Sequence, residues 1–210
     1  GICWQIYDRV PASGLARKCS QRHGFIDRYS FGVRYQIYSK YKEERDFVLR
    51  ATDVKPKPAH ISLDDAMRRS IFCLCPSGTG WGMRAFHAAA LGCIPVIIQD
   101  DGSHRYPSVL QAHEGHTLNW DALALRLTYA QIPKLPALLR AVAANATLLA
   151  QKRAALAAAW TRLVWRVALP RGLAKTIERA PDAFDSVMAA LAMRDIDGNP
   201  GQAGSAPPGP

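Results

Sequence analysis

The stretch from Ser70 to Ile98 constrains the fold more than any other part of the chain. Ile71 to Cys75 is a short apolar run without polar alternation, the pattern of a strand covered on both faces in a parallel sheet. Pro76 ends it, and Gly78, Gly80 and Gly82 follow. Glycines at that spacing let the backbone turn tightly and approach a ligand with no Cβ in the way, leaving amide N–H groups where a helix begins. Met83, Phe86, His87, Ala90 and Leu91 then share one helical face, and Gly92 stands where a left-handed cap is wanted. Ile94 to Ile98 is a second apolar run with Pro95 near its start, closed by the turn residues Asp100-Asp101-Gly102. Strand, glycine-rich loop, helix and strand make one βαβ unit, with Arg84 at the junction of loop and helix, where an anion is favoured.

Within this unit stand Phe72-Cys73-Leu74, Pro76, Gly78, Arg84 and Gly92-Cys93-Ile94-Pro95-Val96-Ile97-Ile98. Tyr29-Ser30-Phe31-Gly32-Val33-Arg34 lies upstream, and Asn119-Trp120-Asp121 and Ile132-Pro133-Lys134-Leu135 lie downstream. In this order the segments closely resemble the nucleotide-binding, C-terminal half of the exostosin-like glycosyltransferases, glycosyltransferase family 47. The resemblance runs from Tyr29 to Trp165. It implies an α/β fold, a Rossmann-like parallel sheet with flanking helices that forms one half of a GT-B type enzyme. It further implies an inverting glycosyltransferase that moves a sugar from a nucleoside diphosphate sugar, a UDP-sugar by expectation, to a glycan or glycoprotein acceptor in polysaccharide biosynthesis or protein glycosylation. Full members are Golgi membrane proteins facing the lumen, with an anchor and another Rossmann-like half ahead of this one, so the chain is expected to be a fragment. The competing reading is a catalytically impaired α/β module that binds a nucleotide or a glycan.

Sugar transfer needs charge stabilisation on the departing diphosphate, and Arg84 with the amides of Gly78, Gly80 and Gly82 offers it without a metal. The hydroxyls of Ser77 and Thr79 either bond phosphate or cap the helix. Arg34, carried by the upstream segment, is either a second diphosphate contact or a cation on a helix surface. Trp81 either stacks on a sugar or base or covers the core. His87 occupies the place where the family usually has an acidic residue in a turn that contacts the donor ribose. A neutral imidazole gives or takes one hydrogen bond and cannot supply a carboxylate's acceptor pair, so His87 is either an altered ribose or sugar contact or simply a helix residue. No general base is assigned.

Neither Asp100-Asp101 nor His113-Glu114-Gly115-His116 has the spacing of a metal site, so no metal and no cofactor is expected beyond the donor substrate. Cys73 and Cys75, two apart on a strand, share a face and cannot bridge each other; burial as small hydrophobes is expected for both, and for Cys93. Cys3 and Cys19 could pair in an oxidising lumen. Asn145-Ala146-Thr147 fits the N-glycosylation pattern but heads a helix.

The net charge is +10, unevenly spread. Residues 1–60 hold 12 Lys/Arg and 6 Asp/Glu, residues 61–122 hold 4 and 6, and residues 123–210 hold 11 and 5. The segment with the candidate site is the acidic one, which argues against a nucleic-acid groove built on lysine and arginine there. No apolar run is long enough to span a bilayer, so membrane association is expected only through an anchor absent from this chain.

Three parts are expected: 1–28, a remnant of a preceding region; 29–195, the nucleotide-sugar-binding domain; and 196–210, a disordered tail rich in Gly, Pro and Ala. Within the domain, helices are expected from Tyr29 or Ser30 to Tyr41, after Ser62 in a capping box with Asp65, from Pro133 to Ala144, from Asn145 to Val167 as one long helix, and within Leu173 to Leu191. Leu63, Met67 and Ile71 supply the apolar side of the second of these. Phe47-Val48-Leu49 and Ala122 to Leu127 are expected strands, and Lys55 to Pro58 and Ser103 to His116 connections.

Overall fold

The computed structural model describes residues 33–49, 62–76, 83–100 and 118–196. The remnant 1–28, the start of the first expected helix, Cys3 and Cys19, the loop 77–82, both expected connections and the tail after residue 196 lie outside the described residues. The elements are α1 (Val33–Tyr41), α2 (Leu63–Arg68), β1 (Phe72–Pro76), α3 (Arg84–Ala90), β2 (Ile94–Asp100), α4 (Trp120–Leu123), β3 (Leu125–Thr128), α5 (Leu135–Ala144), α6 (Ala146–Ala159), α7 (Arg171–Thr176) and α8 (Ala183–Ile196). Short 3-10 turns occupy Tyr129–Lys134, Trp160–Leu163 and Arg166–Ala168.

The strands form a parallel sheet in the order β1-β2-β3, with Cys73 beside Pro95, Leu74 beside Val96 and Val96 beside Leu125. Side chains alternate across it and feed two cores. On one face Cys73, Cys75 and Ile97 meet Ala85, Ala88 and Ala89 of α3, Trp120 and Leu123 of α4 and Leu156 of α6. On the other, Val96 and Ile98 meet Val33, Ile37 and Tyr41 of α1, together with Ile132, Leu135 and Leu139. Helices therefore cover both faces, as the unbroken apolar strands require.

Several expectations need correction. The buried face of α3 is Ala85, Ala88 and Ala89, whereas Met83 is 62% exposed. Small side chains let the helix lie close to the sheet, and the larger residues are displaced to its flanks. Leu63 and Ile71 are exposed, so α2 buries Met67 alone of the three apolar residues expected there. Phe47 to Leu49 is irregular, with Phe47 and Leu49 packed on the α1 core rather than paired in the sheet. The segment 122–127 divides because the Asn119 carboxamide accepts from the amides of Asp121 and Ala122 and caps one helical turn, leaving Leu125–Thr128 as the strand. The long helix ends at Ala159, followed by 3-10 turns.

The largest correction concerns cysteine. Cys73 and Cys93 form a disulfide with Cα atoms 5.8 Å apart, whereas Cys75 is a buried free thiol as expected. Cys93 lies two residues before the Pro95 that pairs with Cys73, so the strand register brings the two sulfurs together. A bridge across 20 residues removes unfolded-chain entropy worth about 3 kcal/mol.

Candidate functional site

The three strands run in the same direction, so Pro76, Asp100 and Thr128 end at one edge of the sheet. In open α/β sheets ligands bind outside that carboxyl edge. Two arginines converge there. Arg34, the second residue of α1, donates from its guanidinium to the Pro76 carbonyl at 3.4 Å. Arg84, the first residue of α3, is exposed where the chain returns from the end of β1. Both act on Cys75, the residue before Pro76. Burial pushes that thiol up to about 12, while the Arg84 cation, a hydrogen bond with the Val96 backbone and the Arg34 cation oppose the rise. Arg34 thus bonds the strand end, and the Arg84 cation lies within electrostatic range of it, although 50 positions separate them in the chain.

Ser77, Gly78, Thr79, Gly80, Trp81 and Gly82 lie outside the described residues. His87, one turn beyond Arg84, is neither buried nor alone. Its Nε2 lies 3.0 Å from Oδ1 of Asp64 in the first turn of α2, with the two side chains 40% and 53% exposed. Asp64 is a member of the cluster that sequence reasoning missed. Only the acidic first turn of α2 hinted at it, and the contact with α3 is tertiary.

Further round the same edge, the Gln36 carboxamide of α1 donates to the Tyr129 hydroxyl just past β3. Gln131 folds back to accept from the Thr128 amide at 2.9 Å, closing the end of the strand. The Tyr41 hydroxyl donates to the Ile132 carbonyl at 2.8 Å and fixes α1 across the sheet. The Gln36 and Tyr41 bonds hold the helix that carries Arg34.

Burial sorts the motif residues by role. Val33, Pro95, Val96, Ile132 and Leu135 are fully buried core, and Cys73 and Cys93 are bridged. Trp120 is 1% exposed, with Phe86 edge-on to it at 5.0 Å between ring centroids. Arg34 and Arg84 are the motif arginines at the sheet edge among the described residues.

Parallel strands, crossover segments and helices on both faces define an open α/β chain. The chain belongs to the exostosin family: the Exostosin GT47 domain matches residues 21–142. It is 35% identical over 123 residues to a protein of Oryza sativa subsp. japonica named probable glucuronosyltransferase, covering 58% of this chain and 26% of that one. It is 33% identical over 118 residues to a probable glucuronoxylan glucuronosyltransferase of Arabidopsis thaliana, covering 56% of this chain and 23% of the relative. A further rice probable glucuronosyltransferase is 29% identical over 180 residues, 83% of this chain and 38% of its own length. The chain thus spans about a quarter of the first two relatives. No solved structure matches it.

Proposed function

We propose that this chain is the donor-binding half of a GT-B type glycosyltransferase, with residues 29–195 as its domain, holding the diphosphate of a UDP-sugar at the carboxyl edge of the sheet. The observation that carries the reading is the convergence of Arg34 and Arg84 on the end of β1. The names of the relatives support a glucuronosyl group as the sugar moved and a glycan as the acceptor. Family membership supports the Golgi lumen as the place of action.

In the proposed reaction an acceptor hydroxyl attacks the anomeric carbon as the bond from that carbon to the diphosphate oxygen breaks, inverting the centre. Negative charge grows on the departing diphosphate, and two guanidiniums aimed at it stabilise the transition state more than the ground state. Their planar forks suit phosphate oxygens and need no metal. α3 has seven residues, so its dipole adds little and the arginines carry the electrostatics. Ser77, Gly78, Thr79, Gly80 and Gly82 are proposed to complete the phosphate cradle, Trp81 to stack on sugar or base, and His87 to meet the ribose. The acceptor proton leaves to a base outside the residues assigned here.

Titration calorimetry with UDP tests this reading. Arg84→Ala is expected to weaken binding about tenfold, the loss of one charge-assisted contact. Equal affinity in variant and parent removes Arg84 from the site. The engagement of His87 by Asp64 favours a second reading, an impaired nucleotide-binding module. UDP binding without turnover of UDP-glucuronate by the full-length protein supports that alternative.

A further inference from the structure

We propose that the Cys73–Cys93 bridge is the positioning device of the anion site, so that Arg84 is correctly placed only after the chain has been oxidised. The inference rests on the proposed diphosphate site and adds a redox condition to it.

The argument follows the ends of α3. Gly92 adopts the left-handed conformation, φ 78°. The Cys93 amide donates to the Ala88 carbonyl and the Gly92 amide to the Ala89 carbonyl, both at 3.0 Å. That pair of bonds is a Schellman cap, in which Cys93 is the residue that closes the helix. The disulfide joins this closing residue to Cys73 in β1. The last turn of α3 is therefore covalently fixed to the strand whose far end receives Arg34 and faces Arg84.

Among the described residues, α3 is otherwise held by packing and by side-chain contacts, with no other covalent link to β1. Its buried face consists of alanine methyl groups, its first residue has no side-chain cap, and the helix has seven residues. Without the bridge, the contacts that hold the helix among the described residues are non-covalent: those methyl groups, Phe86 and Leu91 on the core with Leu163, the Phe86–Trp120 contact and the exposed His87–Asp64 pair.

Oxidation removes two electrons and two protons from the Cys73 and Cys93 thiols and joins their sulfurs. A disulfide oxidant such as oxidised glutathione takes both and is cleaved to two thiols. Cys75, two residues from Cys73 on the same face, does not scramble the bond. Its buried thiol, raised to about 12, is rarely the thiolate that exchange requires.

The experiment uses the 210-residue chain oxidised with glutathione, the same chain reduced and alkylated, and the double variant Cys73→Ala, Cys93→Ala. UDP affinity, far-UV circular dichroism and amide exchange over residues 87–93 are read on each. The expected result is a folded reduced chain with exchange in 87–93 at least tenfold faster and UDP affinity about tenfold weaker, matched by the variant. Unchanged exchange and affinity in a folded reduced chain overturn the proposal. Loss of the whole circular dichroism signal on reduction overturns it as well, because the bridge would then hold the domain and not one helix. An oxidised chain that ignores UDP refutes the diphosphate site instead, and exchange over 87–93 still decides whether the bridge positions α3.

Discussion

Arg34 hydrogen bonds to the carbonyl of Pro76, so a side chain from α1 is fixed to the last residue of β1. The strand end thereby receives a cation from a helix well ahead of the βαβ unit, and Arg84, within that unit, acts on it electrostatically. If both meet the same anion, their contributions are coupled. In a double-mutant cycle on UDP affinity, Arg34→Ala and Arg84→Ala should each weaken binding about tenfold, and the double variant should depart from additivity by about 0.5 kcal/mol or more. Strict additivity would place them on separate ligands. Arg34→Lys should behave nearly as badly as Arg34→Ala, because an ammonium lacks the planar fork.

His87 faces a carboxylate, so placing an acid at this position has a cost. His87→Glu would set two carboxylates against each other at the Asp64 contact. Thermal unfolding should show a lower Tm for His87→Glu, with most of the loss recovered by adding Asp64→Asn. A His87→Glu chain as stable as its parent would show that the pair is incidental.

Trp120 is enclosed by the α3 core, and its indole Nε1 finds no acceptor among the described residues. A side chain that loses no hydrogen bond on truncation is replaced according to volume alone. Trp120→Phe should cost about 1–2 kcal/mol in urea unfolding, against about 3–5 kcal/mol for Trp120→Ala. A Trp120→Phe loss of about 3 kcal/mol or more would mean that the indole N–H is bonded after all.

Asp182 caps α8, accepting from the amides of Phe184 at 2.8 Å, Asp185 at 3.3 Å and Arg166 at 3.1 Å. Burial alone would raise its pKa, but those three amides and the Arg166 cation outweigh it and hold the carboxyl below its ordinary value. A depressed folded value means stability that is present above the ordinary carboxylate range and lost as pH falls through the folded one. Asp182→Ala should cost about 1–2 kcal/mol at pH 7. That cost should shrink as the solution is acidified below the ordinary range; a gap independent of pH from 7 to 2 would contradict the assignment.

The βαβ unit was legible because its signals are local: two apolar runs, a left-handed glycine and a proline at a strand start. The Ser62 cap was readable for the same reason, and its hydroxyl does accept from the Asp65 amide. What stayed hidden depends on distance between elements. Parity excluded a bridge between Cys73 and Cys75, but only the register of β1 against β2 shows that Cys93 approaches Cys73. The inner face of α3 is not the one that side-chain size predicts, because close approach to the sheet selects alanine. Asp64 was invisible because nothing in the chain between α2 and α3 announces that they touch. Lys152 belongs with it: a lysine on the packed face of α6 whose ammonium donates to the carbonyls of Asp121 at 3.0 Å and Ala124 at 2.7 Å, closing the end of α4.

The row of Ala85, Ala88 and Ala89 means that the lateral position of Arg84 is set by what is missing from the helix underneath it. A methyl group is the shortest spacer a chiral residue can offer, so this helix can be pushed outward by substitution but hardly drawn inward. Variation along those three positions would act as a one-way adjustment, lifting the guanidinium off the strand by degrees while leaving every charged group in the chain unchanged.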